Sequence, residues 1–62
     1  MPQPNTQPNI TDADGFYAEL LALHADLSKP ESDALNARLI LILANHIGDR
    51  AVLRGAMQAA TT

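Results

Sequence analysis

Leu35-Asn36-Ala37-Arg38-Leu39-Ile40-Leu41-Ile42-Leu43-Ala44-Asn45-His46-Ile47-Gly48 is the stretch whose reading decides the fold. It holds six consecutive apolar residues, Leu39 to Ala44. Leu35, Leu39, Ile42 and His46 recur at steps of four, three and four, and Asn36, Ile40, Leu43 and Ile47 repeat those steps one residue on. The two rows exceed the ~100° apolar stripe of an ordinary surface helix. Leu41 faces away from both, so the middle of the segment is apolar nearly all round. A continuous apolar run also fits a buried strand, but this one has helix punctuation at both ends. Ser28-Lys29-Pro30-Glu31 fits a capping box, in which the Ser28 hydroxyl accepts from the Glu31 amide and the Glu31 carboxylate accepts from the Ser28 amide. Pro30 in the first turn sacrifices no hydrogen bond. Gly48 suits the left-handed conformation that closes a helix. The spacing predicts a helix over 29–47, on the order of 28 Å long at 1.5 Å per residue.

Outside this helix the chain has little with which to cover it. Sixty-two residues allow one domain, and a chain this short without disulfides or metal has difficulty building a sufficient core. Oligomerisation or a partner protein is the remaining remedy. Composition narrows the partners. Lys and Arg number 4 against 7 Asp and Glu, a formal net charge of −3. Nucleic acid is a polyanion whose binding needs a clustered basic face. Lys29, Arg38, Arg50 and Arg54 are too few and dispersed, which opposes a DNA-binding regulator. A membrane-surface helix needs cations along its polar face, and no apolar stretch nears the ~20 residues that cross a bilayer, so no membrane partner is expected. The N-terminal Met-Pro-Gln-Pro-Asn-Thr-Gln-Pro-Asn has neither a positive side chain nor an apolar segment and does not read as a secretory signal. The absence of cysteine excludes a disulfide framework and thiolate metal sites and fits a cytoplasmic location.

In chain order, residues 1–10 form a Pro-rich tail, with Pro2, Pro4 and Pro8, expected to be extended and either disordered or draped along a neighbour. Residues 11–62 read as a single small helical domain. A first helix, about 12–27, starts after Thr11 or Asp12, where Asp12 and Asp14 favour the positive end of the helix dipole. Phe16, Leu20, Leu23 and Leu27 repeat at four, three and four, and Tyr17 and Leu21 widen the stripe. Asp12, Asp14, Glu19 and Asp26 give this helix four negative charges and no Lys or Arg, which reads as a solvated face or a docking surface for a basic partner. The short Leu27-Ser28-Lys29-Pro30 link predicts an antiparallel hairpin with the Phe16 and Leu35 rows facing inward. A third helix, about 50–60, is capped by Asp49 and carries Val52, Leu53, Ala56, Met57 and Ala60 on one side. Gly55 costs it ~1 kcal/mol relative to Ala. Thr61 and Thr62 are expected to fray. The fold class is all-α: a helical hairpin plus a short third helix, completing a bundle in an oligomer or complex.

Chemistry-bearing residues are sparse. Pairing across the turn places His24 opposite Glu31 to Asp33 and His46 opposite the start of the first helix, so the two histidines stand apart within one hairpin. His46 and Asp49 are suitable metal-ligand types at i, i+3, but Gly48 breaks the helix between them and a third ligand is missing. His46 reads more simply as a helix C-terminal residue favoured by the dipole. Glu31 and Asp33 sit at a helix start, where acids are ordinary dipole partners. No Ser or Thr has a neighbouring His and acid arranged for nucleophilic catalysis, and no glycine-rich loop cradles phosphate. No catalytic residue, metal site or cofactor is expected. Asn36 and Asn45 interrupt the apolar helix. Each either fixes register or oligomer state, as a buried Asn can, or faces water, and Asn45 has the further option of capping carbonyls.

Asp14-Gly15-Phe16-Tyr17, Leu35-Asn36-Ala37-Arg38-Leu39 and above all Leu43-Ala44-Asn45-His46-Ile47-Gly48-Asp49 carry a resemblance. Over roughly residues 9 to 60 the chain resembles a family of short proteobacterial proteins classed as a domain of unknown function. Such families tend to be encoded near aromatic-ring oxygenases and flavin-dependent hydroxylases. The resemblance therefore implies an accessory role beside an oxidoreductase; it says nothing of mechanism and carries over no catalytic residues.

The expected function is a non-catalytic protein–protein interaction module, either homodimeric or a small accessory subunit of a larger enzyme. The candidate interface comprises Phe16 and Leu20 of the first helix and Leu35, Asn36, Leu39 and Ile40 of the second. It continues through Leu41, Ile42, Leu43, Asn45, His46 and Ile47. The alternative is a small enzyme or ligand- or metal-binding protein with a site around His46 and Asp49, drawing on His24 and Asn45.

Overall fold

The computed structural model describes residues 3–61, which form three helices: α1 (Ala13–His24), α2 (Lys29–Ile47) and α3 (Arg50–Ala60). The fold is all-α, with no strand among the described residues. Met1, Pro2 and Thr62 lie outside them.

Each helix start has a side-chain cap that explains it. Asp12 adopts a left-handed φ of 51°, and its carboxylate accepts from the Gly15 N–H at 3.1 Å. A Cβ on Gly15 would fall on that carboxylate, so only glycine leaves room for the cap. α2 carries the expected capping box. Ser28 Oγ accepts from the Glu31 N–H at 3.3 Å, and the Glu31 carboxylate accepts from the Ser28 N–H at 2.9 Å. Gly48 ends α2 at a φ of 75° and donates its N–H to the Ala44 carbonyl. One residue on, extended Asp49 accepts from the Ala51 and Val52 N–H groups at 2.9 and 3.3 Å and opens α3. Two residues thus close one helix and start the next.

α1 differs from the reading above in its end. It stops at His24 instead of Leu27. The cause lies in the next helix: to cap α2, Ser28 must be extended (φ −68°, ψ 166°), so the chain has to leave helical geometry beforehand. It does so through a tightened turn, with the Ala25 N–H on the Ala22 carbonyl and the Leu27 N–H on the His24 carbonyl. Thr61 also departs from expectation. It closes α3, donating its hydroxyl to the Gln58 carbonyl at 2.8 Å.

The capping box makes α2 sensitive to acid. The Ser28 backbone N–H first, and its hydroxyl second, hold the Glu31 carboxyl below its ordinary value of 4.5. A depressed folded-state value stabilises the helix above the unfolded value, and that stabilisation is lost as pH falls through the folded one. Glu31→Gln retains a partner for the Ser28 amide but cannot titrate. Helical circular dichroism of the variant should fall less steeply with acid than that of the parent chain. An unchanged acid slope would remove Glu31 from the account.

α1 and α2 run antiparallel. His24 Nδ1 lies 3.1 Å from Ser32 Oγ beside the turn, and Leu39 further along α2 shares a groove with Phe16 and Leu20. α3 packs against α2 more closely than α1 does. The N-terminal tail crosses α3 at Gly55, where a Cβ would stand 2.7 Å from Pro4 Cδ and 3.6 Å from Gln3 Oε1. Gly55, which as sequence registers only as a helix weakness, is therefore the notch that admits the proline ring. Gly55→Ala should raise the intrinsic helix preference of α3 by ~1 kcal/mol while expelling Pro4. The expected result is undiminished helicity with a released tail, read as narrowed NMR lines for Gln3 to Thr6. A tail that stays ordered would contradict it.

The assembly is open. Its radius of gyration is 13.3 Å and its extents are 41 × 25 × 24 Å, against about 10.5 Å expected for the radius of gyration of a compact chain of this length. No described residue is fully buried. The inward-facing rows are only partly covered: Leu20, Leu35 and Leu39 are half-buried, and Phe16 remains exposed.

Candidate interaction surface

α2 is apolar around most of its circumference, but α1 and α3 cover only part of it. Ile40, Leu41 and Ile42 are 64%, 70% and 65% exposed. Leu43 and Ile47 are about half exposed, and Asn36, Asn45 and His46 also face solvent. The large apolar side chains therefore stand open on several sides of one helix.

Beside this surface, the splay of α1 from α2 leaves a groove of about 440 Å³ lined by Phe16, Glu19, Leu20, Ala22, Leu23 and Leu39. Its walls are apolar except at Glu19. The Leu35–Leu39 row continues from the groove to Ile42, so groove and exposed patch adjoin on α2. Periodicity finds the apolar walls. It does not show that they stand apart, because that depends on how far the short turn holds the helices from one another.

The residues weighed for chemistry are distributed otherwise. The Asp49 carboxylate is engaged with two α3 amides, and His46 lies exposed in the last turn of α2. His24 is half-buried against Ser32. That contact follows from the pairing that puts His24 opposite Glu31 to Asp33; the hydroxyl between those acids is the signal that would have identified it. Among the described residues no three His, Asp or Glu side chains converge as a metal-binding group, and no helix is long and apolar enough to cross a membrane.

The accessible surface quantifies the exposure. The chain exposes 5452 Å², whereas a compact monomer of 6.6 kDa is expected to expose about 3,900 Å². The excess is about 1,600 Å², twice the ~800 Å² that each partner contributes to a standard protein interface.

Fold and surface together define a class: a small all-α chain of three closely linked helices, with more apolar surface than it covers. Residues 4–62 match the family described as Protein of unknown function (DUF2783), and the chain belongs to that family. No curated protein and no solved structure matches the chain.

Proposed function

We infer that this chain is a non-catalytic protein–protein interaction module whose working surface is the open side of α2 and the adjoining α1–α2 groove. The observation that carries this reading is the exposure of Ile40, Leu41 and Ile42 in the middle of the longest helix. Large contiguous apolar patches on small chains mark interaction sites. The module acts in the cytoplasm as a homodimer or as a small accessory subunit of a larger enzyme. A flavin-dependent or ring-hydroxylating oxygenase is the enzyme class that the sequence resemblance implies. Asn36 and Asn45 border the patch and would set register once it is covered.

Thermal unfolding across a wide range of chain concentration tests this reading. A module stabilised by association melts at a temperature that rises with concentration, or, where the partner is another protein, lacks a cooperative transition alone and acquires one with it. A cooperative transition independent of concentration, given by the chain alone, would overturn it.

A further inference from the structure

The charges of the chain are segregated, and each set is left without its complement. α1 and its flanks carry Asp12, Asp14, Glu19 and Asp26 and no cation, whereas α3 carries Arg50 and Arg54 and no acid beyond its Asp49 cap. Among the described residues the one ion pair is Lys29–Asp33 at 3.1 Å, within α2. Among the described residues neither the acids of α1 nor the arginines of α3 form an ion pair.

Both sets border apolar shapes that fit one another. Glu19 lines the groove with Phe16, Leu20, Leu23 and Leu39. Asp12 is the N-cap of α1 and Asp26 lies in the turn just past its end, so acids stand at both ends of the helix that carries Glu19. On α3, Arg50, Arg54 and Met57 follow steps of four and three and are all exposed; Leu53, one turn before Met57, is half-buried at the edge of this row, and Ala51 and Val52 are half-buried away from it. Methionine adapts its shape to irregular apolar gaps. The lengths agree as well: the 11 residues of α3 and the 12 of α1 span about 16 and 18 Å.

We propose that the α1–α2 groove receives α3 of a second copy of this chain, with Met57 in the groove and Arg50 and Arg54 beside Glu19 and Asp26. In this arrangement the contact is made twice about a two-fold axis, α3 of each copy in the groove of the other, which closes the assembly as a dimer. A foreign partner would need its own basic, apolar helix, whereas this chain already carries one. The proposal rests on the interaction reading above and specifies its occupant.

Light scattering of the full chain tests it with two charge-reversed variants, Glu19→Lys with Asp26→Lys, and Arg50→Glu with Arg54→Glu. The parent chain is expected at the mass of two chains. Each variant alone should associate roughly 100-fold more weakly, because like charges then face each other at both contacts. An equimolar mixture of the two variants restores opposite charges at both contacts and should recover the two-chain mass. A parent dimer indifferent to both reversals, or a mixture without recovery, overturns this docking mode and leaves the interaction reading in place. A chain that remains single and becomes ordered only with a different protein overturns the second copy, again leaving the broader reading. A single, cooperatively folded chain refutes both.

Discussion

Ile42→Asp is expected to weaken association by roughly 10²–10³-fold. Ile42 continues the Leu35–Leu39 row beyond the groove and is 65% exposed in the isolated chain. In a solitary molecule an aspartate there would stay hydrated. Surface substitutions of that kind usually change stability by less than about 0.5 kcal/mol, and the helix-propensity cost of Asp adds a similar amount. In a docked state the same carboxylate must be stripped of water with no cation to receive it, which costs roughly 3–4 kcal/mol. The two situations differ by enough to decide between them. Analytical ultracentrifugation of parent and variant over the same concentrations reads the difference directly. A variant that associates as the parent does would place Ile42 outside the working surface.

Leu39→Ala should lower stability by about 2–3 kcal/mol, the range for truncating a leucine where a cavity remains. For a domain of this size that corresponds to a fall of roughly 10–20 °C in Tm. Leu39 is half-buried and is the α2 residue that lines the groove opposite Phe16, Leu20 and Leu23. Its truncation removes contacts within the hairpin and, once the groove is filled, contacts with the occupant as well. Calorimetry or circular dichroism melting at fixed concentration measures the shift. A change below about 3 °C would mean that Leu39 contributes no more than a surface leucine and that the groove is not a packed site in the working state.

The helix boundaries were legible in the sequence where a local interaction sets them. Ser28 and Glu31 form their reciprocal hydrogen bonds within four residues, and Gly48 and Asp49 turn the chain within two. For that reason α2 and α3 begin and end where their caps predict. The end of α1 was not legible, because Ala25 to Leu27 have no signal of their own and yield to the geometry that Ser28 requires downstream. The role of Gly55 was hidden for a different reason. Its partner, Pro4, is some fifty residues away, and no periodicity connects a tail to a helix interior.

The surface itself was only half legible. A helix apolar nearly all round announces more hydrophobic area than two short neighbours can cover, and Ile40 to Leu43 are open accordingly. Periodicity turns the Phe16 and Leu35 rows inward but does not say how far apart they stand. The turn after His24 holds the helices together at one end, through His24 and Ser32, and leaves a groove along Phe16, Leu20 and Leu39. How widely a hairpin opens depends on what fills it, and that information lies partly outside the chain.

Association of this kind requires that the chain does not satisfy its own apolar surface. Sedimentation equilibrium of the 62-residue chain in dilute solution, followed in parallel by helical circular dichroism, tests that requirement most directly. The expected result is a mass of two 6.6 kDa chains that gives way on further dilution to single chains, with helicity lost as they separate. A single-chain mass at all concentrations, with full helicity and a sharp thermal transition, would contradict it.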